Sequence, residues 1–498
     1  MNYSFVARVL GQLQLIMALS LLGALAWSIR WRDGDHWAIL ISMAITATVG
    51  LVLMILGRHA PEEFYRREAL AIVGLGWTLS AITGALPFVF SGLLGPIDAF
   101  FESMSGLTTT GSTVIRDINA TLTGEHALHG VMFWRSFLHW LGGMGIVVLL
   151  LALLPAVGAG TKFLFQTEAP GPTAEGLKPR IRQTAMRLWL LYVGLSVMEF
   201  ILLWAFGMTV YEAMCHTFGT MATGGFSTEN ASIAAFASVK IEVVIIVFMF
   251  LAGTSFNLHY HVAKGRLLTW FRDTEWRAFT LLFVGVTLLI TADLRLRGPE
   301  SIAGESLGTL LRWASFTTLS IGTTTGFCTA DFDLWPASSK ILLVVMMFIG
   351  GCAGSTGGGM KVVRMMLLFR IAGHQLRRIF NPRRVYTLRV GSLTVDDEVQ
   401  QTVLVYFLIL VLIFVMATIA MGVLLHEEGS DLEIVTAATS VAATLNNIGP
   451  GLASVGATQT YADIPPLGKL LLSFCMVAGR LELWAILCLF VPGFWRAR

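Results

Sequence analysis

The chain has 498 residues, of which 55% are hydrophobic and only 13% charged, with a formal net charge of +3. Soluble domains carry about 25% charged residues, so this composition excludes a soluble globular protein and specifies an integral membrane one. So small a net charge does not suggest nucleic acid as a partner. The five cysteines, Cys215, Cys328, Cys352, Cys475 and Cys488, form no CxxC pair and no zinc-type spacing with histidine, so free thiols are expected. The apolar run after Gln14 is followed by Arg30 and Arg32 rather than by a small-residue cleavage site. It reads as a retained first span and not as a cleaved signal.

About 20 apolar residues cross a bilayer, and ten such candidates occur. The first two are 11–29 and 37–57. The pattern then becomes long span, short half-span, glycine loop, long span, and it does so four times. The first unit runs 69–95, 97–108, a loop at Gly111, then 131–158. The second runs 184–208, 211–221, a loop at Gly224, then 240–263. The third runs 275–293, 307–322, a loop at Gly326, then 338–370. The fourth runs 400–425, 431–445, a loop at Gly449, then 466–493. A near-constant spacing of roughly 100–120 residues between the loop glycines marks an internal repeat. The expected fold is an all-α polytopic membrane protein: two N-terminal helices plus four helix–pore-loop–helix repeats around a pseudo-fourfold pore. The corresponding divisions are 1–67, 68–160, 161–266, 267–384 and 385–498.

Three half-spans begin with acids: Asp98, Glu212, and Asp431 with Glu433. Acids offset the positive end of a helix, so the negative C-terminal ends face the glycine loops. The third half-span instead carries Arg312 near its start, with Glu305 just before it as the expected compensation. Basic residues cluster in 58–67, 162–187, 264–277, 361–384 and at Arg496 and Arg498. With ten spans these all fall on one side, which the distribution of Lys and Arg makes cytoplasmic. Both termini are then cytoplasmic and the loops enter from outside. Arg30 and Arg32 are minor exceptions beside Asp33 and Asp35.

The loops carry the chemistry. A ring of backbone carbonyls replaces the water shell of a monovalent cation, and glycine reaches the unusual φ values such a loop needs. The expected ring residues are Thr110 and Gly111, Thr223 and Gly224, Thr325 and Gly326, and Ile448 and Gly449. Non-helical backbone at membrane depth persists only where it is buried or lines a cavity, which argues against four ordinary turns. A second feature is the run from Gly350 and Gly351 through Gly354 to Gly357, Gly358 and Gly359. Each glycine costs a helix about 1 kcal/mol relative to alanine, so the last span of the third unit should break mid-membrane. Close helix packing through small residues is the alternative. A phosphate-loop reading of Met360-Lys361 fails, because Lys361 is not preceded by Gly or followed by Ser or Thr. Third, Arg480 and Glu482 lie in the final span, where charges face a cavity or a partner. Being two residues apart they share no helix face. For Arg480 a pore role and an ion pair with Glu199 both stay open.

The motifs Ala222-Thr223-Gly224-Gly225-Phe226-Ser227, Thr324-Thr325-Gly326-Phe327 and Asn447-Ile448-Gly449-Pro450-Gly451, with the two leading spans, resemble the Trk/Ktr/HKT superfamily of cation transporters, above all its bacterial TrkH-type branch. The likeness covers nearly the whole chain. It implies potassium as the bound and transported ion, since glycine stands at all four positions. It also implies that the 350–359 stretch is a gating loop, that Arg480 lies beneath the filter, and that the chain forms a homodimer. A TrkA-like cytoplasmic ring of nucleotide-binding regulatory subunits would dock on the basic loops 162–187, 264–277 and 361–384. The implied location is the bacterial inner membrane, with no cofactor in this chain and no nucleic acid.

The rival transport reading is a sodium- or proton-coupled secondary transporter, which would show inverted two-fold repeats instead. An intramembrane enzyme would need a paired acid, a nucleophile–base pair or a metal cluster within the spans, and none is evident. His259 and His261 are too few for a metal site. Trp134, Trp140, Trp313 and Trp335 read as interfacial anchors, with Arg135 snorkelling between two of them.

Overall fold

The computed structural model describes residues 1–60, 66–124, 127–145, 181–266, 268–302, 304–380, 388–390, 393–425 and 432–496. Lys162, Lys178, Arg180, Arg383, Arg384, Asp431, Arg498 and the far end of the span at 131–158 lie outside the described residues. Among the described residues the regular elements are helical except for a short antiparallel strand pair, Arg389–Val390 with Leu393–Thr394. Two long helices, α1 (Tyr3–Trp31) and α2 (His36–Leu56), lead the chain.

The first unit comprises α3 (Arg66–Phe90), the half-helix α4 (Pro96–Leu107), a short α5 (Ile118–Leu122) and α6 (His129–Gly143). The second comprises α7 (Ile181–Ala205), the half-helix α8 (Val210–Met221), α9 (Val239–Ala252), α10 (Phe256–Ala263) and a short α11 (Leu268–Arg272). The third comprises α12 (Thr274–Arg297), the half-helix α13 (Leu307–Gly322), α14 (Ala337–Met347) and α15 (Val362–Phe380). The fourth comprises α16 (Asp397–Leu424), the half-helix α17 (Leu432–Leu445), α18 (Pro466–Arg480), α19 (Trp484–Leu487) and α20 (Pro492–Arg496).

Among the described residues, six helices are long and apolar enough to cross a membrane, or eight if two bent pairs count as spans. The difference from ten lies in the second helices of the units. The 338–370 region is interrupted between α14 and α15, as its glycines require. Breaks in 240–263 and 466–493 were not expected. There α9 and α10 meet at 100°, and α18 bends by 120° into the stretch that follows it. Glu482 and Leu483 at the second bend both have positive φ, 55° and 65°.

The half-helices start on local capping, which pairs first-turn amides that have no partner within the helix. Thr209 and Glu212 form a reciprocal capping box on α8. Ser306 caps α13 through the Thr309 amide. Asp98 in the first turn of α4 accepts from Lys469 Nζ at 2.6 Å. Arg312 of α13 lies 3.4 Å from Glu242 of α9. The two chain ends meet: Tyr3 stacks on Trp495 and donates to its carbonyl, which sets both on the same face.

Trp134 is fully buried and donates to the Gly84 carbonyl, and Trp335 is also buried. These two pack in the interior and are not interfacial anchors. The second helices approach the half-helices closely enough to demand glycine. A Cβ on Gly142 would collide with the Leu107 carbonyl, and one on Gly479 with the Leu445 carbonyl. Both contacts fall at the last residue of a half-helix, in the first and fourth units.

Gly479→Ala is therefore expected to cost about 1–3 kcal/mol through overpacking, read as a lower Tm of the detergent-purified protein. Gly194→Ala, whose added methyl meets nothing within 4 Å, should leave Tm within a degree or two of wild type.

Candidate functional site

Each half-helix ends in the same sequence of backbone states. Two residues past the last helical residue, Thr109, Thr223, Thr324 and Asn447 adopt φ of 54°, 55°, 63° and 56°. For threonine this is an outlier region, held here by paired amides. The next amide in each loop, on Thr110, Gly224, Thr325 and Ile448, donates back five residues to Ser105, Gly219, Ser320 and Ala443, at 2.7–2.9 Å. This is the six-residue closure that caps helix C-termini. A glycine with strongly positive φ follows: Gly111 (86°), Gly225 (80°), Gly326 (85°) and Gly449 (98°).

These states fix the register between loops. In the second loop the counterpart of Gly111 is Gly225, and Gly224 stands where the others carry Thr110, Thr325 and Ile448. Sequence alignment on Gly224 is one residue early, because either glycine of the pair satisfies the motif. Thr223 likewise matches Thr109 rather than Thr110.

The four loops close on one another. A Cβ on Gly111 would collide with the Gly224 carbonyl, one on Gly225 with the Thr325 carbonyl, and one on Gly326 with the Ile448 carbonyl. A Cβ on Gly449 would lie 2.8 Å from the Thr110 carbonyl, which returns the contact to the first loop. Each contact thus joins a glycine to the carbonyl one position before the glycine of the next loop. All four positive-φ glycines line an outer cavity of about 100 Å³, together with Ser112, Thr113, Arg116, Arg135 and Tyr461. At its rim exposed Asp117 accepts from the Ala120 amide and from Asn230, which hold its carboxyl below the usual range.

Polar groups buried behind the loops hold their outer limbs. Glu102 of α4 accepts from Thr113 Oγ1 and the Val114 amide, each at 2.8 Å, and pairs with Arg135 at 2.6 Å. Arg135 also donates to the Ser227 carbonyl and lies 3.5 Å from the centroid of the Phe226 ring. One buried pair thus ties the first loop to the second. Arg135 is 1% exposed, so the snorkelling expectation is overturned: the carboxylate and the loop carbonyl replace water around it. The signal available in the sequence was Glu102 and Arg135 as two charges inside otherwise apolar segments of one unit. His139 joins the Gly106 carbonyl through Nδ1 and accepts from the Phe226 amide at Nε2. Tyr461 donates to the Gly449 carbonyl. His259 contacts the Leu251 carbonyl across the α9–α10 break, and no group of three metal-binding side chains occurs among the described residues.

On the inner side, the glycine-rich stretch folds as a non-helical loop with positive φ at Gly350, Gly354, Gly359 and Lys361. The Gly358 amide donates to Thr324 Oγ1 at 2.7 Å, and a Cβ on Gly358 would lie 2.5 Å from the Asn446 carbonyl. The loop therefore abuts the inner ends of the third and fourth loops. Lys361 Nζ donates to the Gly357 carbonyl. Arg480 donates to the Thr356 carbonyl at 2.6 Å and to the Gly142 and Gly143 carbonyls at 2.7 and 2.9 Å. It bridges the glycine-rich loop to the end of α6. Glu482 pairs with Arg364 at 2.7 Å. Gly357, Gly358, Gly359, Lys361 and Arg480 line an inner cavity of about 90 Å³.

Four half-helices aim their C-termini at one ring between two cavities, within a multi-pass helical membrane protein. Such an arrangement defines a protein that passes cations across a bilayer. A family model described as TrkH, cation transport protein, matches residues 35–496. The chain is 39% identical over 501 residues to the Trk system potassium uptake protein TrkH of Halomonas elongata, covering all of both chains. It is 38% identical over 503 residues, again over all of both, to the protein of that name from Escherichia coli K12. The crystal structure of the potassium transporter TrkH from Vibrio parahaemolyticus superposes with a TM-score of 0.86 at 34% identity, covering all of both chains. The chain belongs to the TrkH family.

Removing one member of a buried ion pair strands the other charge, at about 3–5 kcal/mol. Arg135→Met is expected to lower thermal stability by that order, and Arg135→Met with Glu102→Gln should recover part of it. A double-mutant cycle of Tm in detergent measures the coupling.

Proposed function

We propose that the chain is the membrane subunit of a potassium uptake system and conducts potassium through the ring of four glycine loops. The observation that carries this reading is the cyclic contact of four conformationally matched loops, each glycine against the carbonyl of the next. Four half-helix C-termini add partial negative charge at the ring, which suits a cation that has shed its water. The filter comprises Thr110, Gly111, Thr223, Gly224, Gly225, Thr325, Gly326, Ile448 and Gly449. The names of the relatives favour potassium as the ion. Strict rejection of sodium is not required of a ring whose four quarters differ in sequence.

The loop containing Gly350, Gly351, Gly354, Gly357, Gly358 and Gly359 acts as the gate. Its contact with Thr324 and Asn446 supports that role, because it stands between the ring and the inner cavity. Arg480 fixes the loop and sets a positive charge on the ion path. Both termini and the basic segments face the cytoplasm of the inner membrane, where a TrkA-like nucleotide-binding ring docks. The pore subunit works as a homodimer. The divisions 1–67, 68–160, 161–266, 267–384 and 385–498 are its structural units.

Reconstitution into vesicles tests the reading: potassium flux should exceed sodium flux and should not require a pH gradient. Flux that depends on a proton or sodium gradient would favour the coupled transporter. Gly111→Ser is expected to raise sodium flux relative to potassium several-fold, and Gly225→Ser should do the same from the matching position. Unchanged flux ratios in both would remove these residues from the filter. Arg480→Ala should raise potassium flux in vesicles while the purified protein stays monodisperse.

A further inference from the structure

The glycine-rich loop is fastened at points that the ring does not touch. Its first limb pairs with the break in the second unit. The Cys352 amide donates to the Gly253 carbonyl at 2.8 Å and the Thr356 amide to the Ala252 carbonyl at 3.3 Å. The Phe256 amide, on the far side of the break, donates to the Gly354 carbonyl at 3.0 Å. The end of α9 and the start of α10 therefore complete part of their backbone hydrogen bonding on the loop.

Its two ends meet on a single atom. Oε1 of Glu275, the second residue of α12, accepts from the Ala353 amide at 2.7 Å and from the Val363 amide at 3.2 Å. Ala353 lies near the start of the loop, and Val363 is the second residue of α15, where an amide has no partner within its own helix. Glu275 itself is set by the start of α12, where Asp273 caps the Trp276 amide at 2.8 Å. Between the break and Glu275 the chain runs through α10 and α11, with Lys264, Arg266 and Arg272 along it and exposed Leu268 and Phe271.

We propose that Glu275 is a positioning residue that clasps both ends of the glycine-rich loop, so that displacement of the basic 256–275 elbow moves the loop. This rests on the reading of that loop as the gate. A carboxylate oxygen has two acceptor sites, so one side chain satisfies both amides and holds the loop ends at a fixed separation. An amide oxygen can do the same. Alanine cannot, and aspartate is a methylene short. The elbow is also one of the basic segments assigned to the regulatory ring, which gives a docked partner a direct mechanical route to the loop: the elbow, the α9–α10 break and Glu275 are covalently continuous.

The test uses the full chain in vesicles without a partner. Potassium release is measured for wild type, Glu275→Ala, Glu275→Gln, and a deletion of Gly357-Gly358-Gly359. Expected are at least a fivefold rise for Glu275→Ala and flux within twofold of wild type for Glu275→Gln. A rise in the loop deletion together with wild-type flux in Glu275→Ala overturns the clasp and leaves the gate reading standing. Equal rises in Ala and Gln overturn it too, since charge and not the shared acceptor would then be at work. A loop deletion with unchanged flux overturns the gate reading, and the clasp with it. Should Glu275→Ala fail to purify as a monodisperse protein, Glu275→Asp takes its place. The readout is then maleimide labelling of Cys352 as the remaining cysteine, a side chain 1% exposed. Faster labelling supports the clasp and unchanged protection overturns it.

Discussion

Backbone that leaves a helix at membrane depth must find every hydrogen bond within the protein. That constraint organises this molecule. Each half-helix stops mid-depth, and its last carbonyls are closed by an amide five residues on. The closure forces one residue into the left-handed region and then a glycine, four times over. The glycine is not only a matter of φ: its bare Cα is where the next loop's carbonyl packs. Satisfying the backbone and bringing the four loops together are thus one solution. The same groups that cap the helices leave their negative ends directed at a common ring.

The ring is supported from two sides by chemistry that is costly to bury. Outside, Glu102 and Arg135 hold the first and second loops together, and a buried pair tolerates little movement because each charge depends on the other. Inside, Arg480 spends its donors on carbonyls of the glycine-rich loop and of α6. The outer support is rigid side-chain pairing within packed helices. The inner support is a set of hydrogen bonds that join a non-helical loop to Arg480, Thr324, Glu275 and the α9–α10 break. A buried ion pair on one side of the ring and backbone hydrogen bonds to a helix-free loop on the other fit the proposed division between filter and gate.

The breaks in the second helices belong to the same scheme. The α9–α10 bend exposes carbonyls at Ala252 and Gly253 that the glycine-rich loop uses. The bend after α18 lets Glu482 reach Arg364 of α15. In both cases an interrupted helix in one unit provides hydrogen-bond partners for the third unit. The units are alike in plan, but the third carries the glycine-rich loop, and its neighbours supply hydrogen-bond partners to it.

Hydrophobic span length, the helix–half-helix–glycine pattern and the long run of glycines were legible in the sequence, because span length, glycine content and charge are local and each acts through a simple cost. They establish an all-helical membrane protein and lead to the expectation of four related units. The register of the second loop was not legible: Gly224 and Gly225 both fit the motif, and only the hydrogen bond from the Gly224 amide to Gly219 and the contact of Gly225 with Thr325 separate them. Nor were the partners of Arg135, Arg312 and Glu482, or the kinks at Gly253 and Leu481, because a charge or a bend inside a span is resolved by whichever distant helix packs against it. Local chemistry determined what the segments are. The tertiary structure decided which carbonyl, carboxylate or guanidinium stands opposite each one, since those choices depend on distances between residues hundreds of positions apart in the chain.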